Sequence, residues 1–562
     1  MSWFDSLSMN APKGPTPPSS GDGHWRKLEP QEVGHDQSGN KIQGRTWVGR
    51  FKPGFKPKAH QVDAMRAVEG MGPKGGIILA HGTGTGKTPS ALLAFEQLKA
   101  EGKANRALVL TPAGLRNNFD VKGVKKFTKS KSVVLTRPTG VPKNTDYAIV
   151  SYDAFRRDPQ AYVSAVKPDV MIADEFHRAA NPNSQTYQAI EKVRGEVPKF
   201  IGLTASISQN DPSDVAPLVG LARGEPLAKK EFKRQFVKRV DAKDKGVFGG
   251  RLTQAEIKNP KNLSHLVGRT IHYVEDLDAS EKPAKDLQTV EVPMSSQQLG
   301  LYNLSLRGID PRVQRKIAWG QMLTGQEQKG LFTRLMLARQ ASNSLHTMVP
   351  GMTLEESAEA TPKVRAVVSD VKKHLDSTKD GQVIVYTNFV NGGVDVISAG
   401  LKKAGIPFGV FAGRGVMKDE ERQAAVDDYL EGKKRVIIIT GAGAEGLSLG
   451  NTTMVAMYDG SYNPERNNQA EARGIRAGGL SHRDPKDRKV IVRRYVSTVP
   501  RDFWHRITFR NAPTSVDQFV YGTAARKEQA NRQVRDVLKR RSDYESENRK
   551  SLFHRIFARE PS

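Results

Sequence analysis

The stretch GTGTGKT at residues 82–88 joins three glycines to a Lys-Thr pair. An apolar run, ILAH, precedes it and an apolar-periodic segment, PSALLAF, follows it, which predicts a strand, a loop and a helix. Glycines such as Gly84 and Gly86 let backbone N–H groups close around phosphate oxygens. Lys87 would reach the β- and γ-phosphates, and the Thr88 hydroxyl would ligate magnesium. The alternative is a glycine-rich turn with a solvated lysine, so other residues must decide.

Two adjacent carboxylates, Asp174 and Glu175, end the apolar run in DVMIADEFH. The carboxyl edge of a parallel sheet is where ligands bind. There Asp174 would hold magnesium through its hydration shell, and Glu175 would polarise the water that attacks the γ-phosphate. Helix capping explains many isolated Asp-Glu pairs. This pair follows a predicted strand and is joined by His177, so we favour the catalytic interpretation.

The elements that must position these residues form two similar series. From about residue 55 to 215, apolar β-rich runs such as RALVLTP and YAIVSY alternate with helical patterns, and a second series starts near Gly381 with QVIVYTNF. Such alternation is typical of βα units around a parallel sheet. The sequence therefore predicts an α/β fold with two parallel-sheet lobes, at residues 51–215 and 376–505.

The remaining segments differ in composition. Residues 1–50 are rich in Gly, Pro, Ser and charge, which predicts a disordered arm. Residues 216–375 contain few β-branched runs, so we expect a mainly helical insertion, and residues 506–562 read as a basic helical tail. That tail has two open interpretations: it adds affinity for nucleic acid, or it is a solvated helix packed against the second lobe.

The overall composition limits the class of protein. The 562 residues carry 88 Lys and Arg against 60 Asp and Glu, a formal charge of +28, which favours a polyanionic partner such as nucleic acid. No cysteine occurs, which excludes disulfides and thiolate zinc sites and suits a reducing compartment. No signal-peptide pattern and no apolar run of membrane-spanning length is present. We therefore expect an intracellular protein with no membrane segment.

Several further motifs occur in a fixed order between about residues 55 and 500. They are KAHQVDAM, ALVLTPAGLRNNF, DYAIVSYDAF and GLTASISQND in the first half, and TGAGAEGLSLG, YDGSYNPERNNQ and QAEARGIRAGG in the second. Together with the phosphate loop and the Asp-Glu-x-His box, they resemble superfamily-2 nucleic-acid motors, and among these the Swi/Snf-type ATPases. The resemblance implies two RecA-like lobes that use ATP and Mg²⁺.

The resemblance also implies roles for individual residues. Gln61 matches the glutamine that reads adenine, and Gln469, Arg473 and Arg476 match the closing motif of the second lobe, with both arginines as arginine fingers. The motifs that couple hydrolysis to movement contribute His177, Thr204 and Ser206. A nucleic-acid track would cross both lobes at Thr111, Pro112 and Arg116 on the first and at Thr440 and Gly441, continuing to Gly443, on the second.

Four residues depart from the usual family pattern. They are His81 at the start of the phosphate loop, Phe176 in the Asp-Glu box, Ile207 in the coupling motif and Ala472 in the closing motif. These departures affect the assignment to a subfamily more than they affect the prediction of ATP hydrolysis.

The function that the resemblance implies is an ATP-dependent DNA motor that moves along duplex DNA as a monomer, with RNA as a possible substrate and no identifiable protein partner. Two alternatives stay open: a strand-separating DNA or RNA helicase, and a nucleic-acid-binding structural protein with a decayed ATPase. Compact motors without chromatin-reading modules resemble those of large DNA viruses and phages.

Overall fold

The computed structural model describes residues 47–72, 74–241, 253–275, 282–319, 321, 323–413, 417–441, 449–476, 478–500 and 514–557. The expected disordered arm therefore lies outside the described residues except for Trp47–Arg50, a short 3₁₀ helix. Residues 442–448 of the motif TGAGAEGLSLG also lie outside them. Over the described ranges, no helix combines the length and apolarity that a membrane crossing requires. An intracellular location stays a prediction.

The described residues form fifteen strands. These are β1 (Gly75–His81), β2 (Ala107–Thr111), β3 (Ser132–Leu135), β4 (Tyr147–Ser151), β5 (Val170–Ala173), β6 (Lys199–Thr204), β7 (Val237–Asp241), β8 (Thr253–Ile257), β9 (Ile271–Val274), β10 (Ala284–Pro293), β11 (Val383–Thr387), β12 (Phe408–Phe411), β13 (Val436–Thr440), β14 (Met454–Met457) and β15 (Lys489–Thr498).

The same part of the chain forms eighteen α-helices. These are α1 (Ala59–Glu69), α2 (Lys87–Ala100), α3 (Lys125–Phe127), α4 (Tyr152–Phe155), α5 (Pro159–Val166), α6 (Gln185–Arg194), α7 (Val215–Arg223), α8 (Lys229–Phe236), α9 (Pro260–Val267), α10 (Ser296–Leu306), α11 (Pro311–Ala318), α12 (Gly325–Asn343), α13 (Leu354–Ala360), α14 (Pro362–Ser377), α15 (Val396–Lys403), α16 (Asp419–Leu430), α17 (Pro464–Glu471) and α18 (Val516–Phe557).

The first lobe is built on a seven-stranded parallel sheet in the order β3-β4-β2-β5-β6-β1-β9. Successive side chains of a strand point to opposite faces. Accordingly, Ile78 and Ala80 of β1 join one buried apolar cluster, whereas Ile77 and Leu79 join another. Helices cover both faces, which explains why these strands read as continuous apolar runs.

The second lobe contains a six-stranded parallel sheet in the order β10-β15-β14-β11-β13-β12. It too has a buried cluster on each face, with Val383 and Val385 in one and Ile384 and Tyr386 in the other. The prediction of two parallel-sheet α/β lobes is confirmed.

The segment predicted as a mainly helical insertion, 216–375, also supplies strands. β9 pairs with β1 at one edge of the first sheet, and β10 pairs with β15 at one edge of the second. β7 and β8 form an antiparallel hairpin. Helices α10, α11 and α12 pack together over a separate cluster that includes Tyr302 and Leu335. The exact lobe limits stay predictions, but each sheet gains an edge strand from this segment.

The carboxyl-terminal helix α18 confirms the predicted helical tail, and its described side chains pack against both lobes. Val516 and Phe519 at its start belong to the cluster under α10 and α12. Val534 and Leu538 belong to a buried cluster of the first lobe. The sequence left two interpretations of the tail open: a solvated helix packed on the second lobe, or a helix that contacts nucleic acid. The structure shows a third arrangement, in which the helix crosses from one lobe to the other.

Candidate active site between the two lobes

The phosphate loop lies between β1 and α2, at the carboxyl edge of the first sheet. Gly84 and Gly86 have φ values of +84° and +83°, in the left-handed region that glycine adopts without a steric cost. Gly86 is the N-cap of α2, so the first N–H groups of that helix face the loop. The Lys87 ammonium donates to the carbonyls of His81 (3.2 Å) and Gly82 (3.5 Å), which holds its charge over the loop.

Asp174 follows β5 and is held by two neighbouring elements. The Thr111 hydroxyl donates to its Oδ2 (3.1 Å), and the Tyr152 hydroxyl donates to its backbone carbonyl (2.6 Å). Burial and the adjacent Glu175 carboxylate raise the pKa of Asp174 to about 7, although the charge of Lys87 acts the other way. A buried carboxylate with this much desolvation gains most from a cation beside it.

The oxygen donors available at this point fit a magnesium ion. Mg²⁺ is usually held by one or two protein oxygens together with substrate phosphates, and not by an all-protein cage. Thr88 in the first turn of α2 and Asp174 after β5 would supply oxygens of that kind. Among the described residues, no cluster of three or more His, Asp or Glu side chains could hold a metal ion by itself.

Glu175 sits in an unusual backbone conformation, with φ +50°. For a residue with a Cβ this left-handed conformation costs of the order of 1 kcal/mol and is found at functional sites. Its Oε2 lies 3.3 Å from His177 Nδ1. The turn therefore directs the carboxylate towards His177.

His177 continues into the predicted coupling motif. Its Nδ1 lies 3.3 Å from Thr204 Oγ1, and the Thr204 hydroxyl donates to the Ser206 carbonyl (2.7 Å). The Ser206 N–H in turn donates to Thr204 Oγ1 (3.1 Å). Close polar contacts thus run from Glu175 through His177 and Thr204 to Ser206, and the hydrogen-bonded part of this polar chain begins at His177. The three predicted coupling residues are neighbours in space, and their roles stay proposals.

A cleft of about 410 Å³ separates the phosphate loop from the second lobe. Gly82, Gly84 and Ser206 line it from the first lobe, and Gln469 and Arg476 line it from the second. Arg473 is not among the lining residues, and its backbone carbonyl accepts a hydrogen bond from the Leu449 N–H (3.2 Å). Both arginines were predicted as arginine fingers, but in this structure Arg476 lines the cleft and Arg473 does not.

Gln61 lies beside the phosphate loop with its amide already engaged. Its Oε1 accepts from the Lys58 N–H (2.9 Å), and its Nε2 donates to the Gly86 carbonyl (3.3 Å). A Cβ at position 86 would lie only 2.6 Å from that Nε2. The glutamine thus packs on the glycine of the loop, and its contact with adenine stays a prediction.

The residues predicted to touch nucleic acid differ in accessibility. The side chains of Thr111, Pro112 and Thr440 are buried, so in this structure they are not exposed for contact with a nucleic-acid strand. Thr111 instead serves Asp174, as described above. Arg116 and Gly441 are partly exposed and remain candidates, whereas Gly443 lies outside the described residues. The nucleic-acid track across both lobes stays a prediction.

Two features of the site escaped the sequence reasoning. His81 Nε2 and His272 Nδ1 share a hydrogen bond (2.8 Å), and the His60 ring lies 5.7 Å from the His81 ring, so the departure at His81 is accommodated by two other histidines. Asn463 Nδ2 donates to Gln209 Oε1 (3.2 Å) from one lobe to the other. Gln209 and Asn463 each lie in one of the sequence motifs described above, but the spacing of the motifs does not predict that these two residues contact each other.

Two family models match the chain. The model described as "Type III restriction enzyme, res subunit" matches residues 54–209, and the helicase conserved C-terminal domain matches residues 366–478. These ranges contain the phosphate loop and Asp-Glu box in the first case and the closing motif in the second. Over these two ranges the chain is therefore similar to helicase-like ATPases.

Individual relatives cover more of the chain. A protein of Acanthamoeba polyphaga mimivirus described as an ATP-dependent RNA helicase is 24% identical over 481 residues, which cover 84% of this chain and 94% of that protein. The DNA repair and recombination protein RAD54-like of Drosophila ananassae is 22% identical over 467 residues, 75% of this chain and 58% of that protein. Among solved structures, the Sulfolobus solfataricus SWI2/SNF2 ATPase core in complex with dsDNA is 19% identical, with 86% of this chain and 97% of that chain covered and a TM-score of 0.35.

The motifs, the two matched domains and these relatives support a superfamily-2 helicase-like ATPase of the Swi/Snf type. The resemblance found in the sequence is confirmed.

Proposed function

We propose that this enzyme is a duplex DNA translocase that couples Mg²⁺-dependent ATP hydrolysis to movement along intact double-stranded DNA. The observation that carries the proposal is the cleft that places Gln469 and Arg476 of the second lobe opposite the phosphate loop of the first. Hydrolysis in such a cleft depends on the approach of the two lobes, which is how a nucleotide cycle becomes a mechanical cycle.

We assign the following roles in hydrolysis to residues at the cleft. Lys87 neutralises the phosphates of the bound nucleotide, and Thr88 and Asp174 supply oxygen ligands to magnesium. Glu175 accepts a hydrogen bond from the attacking water. Arg476 stabilises the charge that develops on the transferring phosphoryl group, because a planar guanidinium matches phosphate oxygens. The polar chain from Glu175 to Ser206 transmits the state of the site to the coupling motif.

The choice of duplex DNA rests on the named relatives and on charge. RAD54-like and SWI/SNF-related proteins are among the relatives, and the formal charge of +28 favours a polyanion. Contacts to phosphates neutralise several charges at once, so binding should weaken steeply with salt and depend little on base sequence. We expect the motor to act as a monomer.

A strand-separating helicase is the second candidate, because the mimivirus relative named an RNA helicase aligns over 94% of its own length. The two candidates differ in which nucleic acid stimulates hydrolysis. ATPase rates should be measured with no nucleic acid, duplex DNA, single-stranded DNA and RNA, together with displacement of a third strand from a triplex. Stimulation by duplex DNA with triplex displacement supports translocation. Separation of a tailed duplex, with stimulation only by single strands or RNA, contradicts it.

A further inference from the structure

The cleft between the lobes receives side chains from a third part of the chain. Glu528 and Arg535 of α18 line it together with Gly82 and Gly84 of the phosphate loop and Arg476 of the second lobe. The two residues are seven positions apart, two helical turns, and so lie on one face of the helix. The carboxyl-terminal helix thus adds both a carboxylate and a guanidinium to the cleft.

The position of this helix is fixed on the second lobe. The Asp517 carboxylate accepts from the Lys363 ammonium (2.5 Å) and from the Ser497 N–H (3.0 Å), and both Lys363 and Asp517 are buried. Breaking such a buried pair by removing one partner is costly. The start of α18 therefore moves with the second lobe.

The following turns are fixed on the first lobe. Gln533 Oε1 accepts from the Ile257 N–H (2.8 Å), and the Arg541 guanidinium donates to the Ser264 carbonyl (2.8 Å). The neighbouring Val534 is buried in the core of that lobe. The helix that carries Arg535 is therefore anchored to the second lobe at its start and to the first lobe around Arg535. Its backbone holds the Arg535 side chain at the cleft.

Arg535 is paired with Glu528 in this structure, and the two side chains are 25% and 24% exposed. Glu465 lies close to both, and burial raises the pKa of this third acid, with Arg535 acting in the opposite direction. A nucleotide triphosphate brings several negative charges into the same cleft. It would be repelled by Glu528 and attracted by Arg535.

We propose that Arg535 is a nucleotide-binding residue, whose guanidinium exchanges Glu528 for the phosphates of the nucleotide held by the loop. The inference rests on the proposed ATPase function and adds a residue from outside the two matched helicase domains. Glu528 then competes with the nucleotide for the same cation. This competition predicts opposite effects for the two partners of one ion pair.

The test is the affinity of the full-length protein for a fluorescent ATP analogue with Mg²⁺, measured by anisotropy, alongside KM and kcat for ATP. Arg535→Ala should weaken binding about tenfold, the effect of losing a charged hydrogen bond, and Arg535→Lys should fall between. Glu528→Gln should bind more tightly than the wild type, because the competing charge is gone. Arg532→Ala, an exposed position on the same helix, is the matched control and should bind as the wild type does.

A purely structural ion pair predicts a different pattern. If Arg535→Ala and Glu528→Gln both weaken binding and both lower Tm, or if Arg535→Ala binds normally, the assignment is overturned. Because the readout is binding, it is independent of turnover. A wild type that binds the analogue but hydrolyses no ATP with any nucleic acid would contradict the proposed function and leave the Arg535 comparison intact. A wild type that binds no nucleotide would overturn both.

Discussion

The side-chain amide of Asn463 donates a hydrogen bond to Gln209 Oε1 across the boundary between the two lobes, at 3.2 Å. Gln209 belongs to the coupling motif of the first lobe, which also contains Thr204 and Ser206. Asn463 is also the N-cap of α17, where its Oδ1 accepts from the Glu465 N–H (2.9 Å), and α17 carries Gln469. One asparagine thus connects the coupling motif to the helix that lines the nucleotide cleft.

This contact predicts that Gln209 acts on coupling and not on nucleotide affinity. Gln209→Met keeps the length of the side chain and removes the acceptor, so nucleic-acid-stimulated kcat should fall about fivefold, the value of one hydrogen bond. KM for ATP should change little. Gln209→Glu retains an acceptor and should keep most of the stimulation. Full stimulation in Gln209→Met would show that the lobes communicate elsewhere.

Lys87 and Glu175 should affect different steps of hydrolysis. Lys87→Ala removes the cation over the phosphate loop, so we expect weak ATP binding and no turnover. Glu175→Gln keeps the shape of the side chain but cannot act as a base, so it should bind ATP normally and lose about a hundredfold or more in kcat. Binding assays and steady-state rates separate the two effects. Normal hydrolysis by Glu175→Gln would mean that another group serves as the base.

Arg476 and Arg473 should differ in the present arrangement of lobes. Arg476 lines the cleft, so Arg476→Ala should bind ATP and DNA with modest loss and fail to accelerate when DNA is added. Arg473→Ala should show a smaller defect unless Arg473 reaches the cleft when the lobes approach each other. Arg466→Ala on the exposed face of α17 is the control. DNA-stimulated turnover of all three variants is the measurement. Equal and severe losses for both arginines would favour the original expectation of two fingers.

The parts of the site that sequence could predict are those carried by short, contiguous segments. The phosphate loop, the Asp-Glu pair and the His177–Thr204–Ser206 chain each follow a predicted strand, and parallel strands bring their carboxyl ends to one edge. The burial of the Thr111 side chain could not be predicted from its own short segment. Its motif indicates a surface track, whereas its position as the last residue of β2, next to β5, places its hydroxyl on Asp174.

Contacts between elements that lie far apart in the chain could not be predicted from the sequence either. β10 alternates polar and apolar residues and its β-branched side chains do not form a long run, and its partner β15 follows about two hundred residues later. The crossing of α18 between lobes involves long-range contacts such as that of Gln533 with the Ile257 N–H, for which a basic helical pattern gives no signal. Local periodicity reports the type of an element, but not which surface it will meet.

Stability should depend on pH through Glu69. Burial and the neighbouring Glu101 carboxylate raise the pKa of Glu69 to about 7. The folded protein therefore holds this proton more tightly than the unfolded chain, so the stabilisation is complete below about pH 4.5 and is lost as pH rises through about 7. Glu69→Gln should have a Tm about 1–2 °C above the wild type at pH 8 and the same Tm at pH 4.5. Thermal denaturation across this range checks the sign, and a difference that is largest in acid would contradict it.

Phe176 occupies the position of the Asp-Glu box that departs from the family pattern, and the structure shows what accommodates it. Its ring is fully buried, lies 4.9 Å from the Phe200 ring, and covers Gly202 of β6, where an added Cβ would be 2.5 Å from Phe176 Cδ1. Gly202→Ala should therefore destabilise the protein by about 1–3 kcal/mol through overpacking.

The same displacement should reach the catalytic turn, because Phe176 is the residue after Glu175, and kcat should fall together with Tm in Gly202→Ala. Phe176→Ala should cost about 3–5 kcal/mol through the cavity that it leaves. In the double variant the new methyl group enters that cavity, so the combined loss of stability should be smaller than the sum of the two single losses. Denaturant unfolding of the four proteins measures the coupling. Strict additivity would mean that Gly202 does not make room for the Phe176 ring.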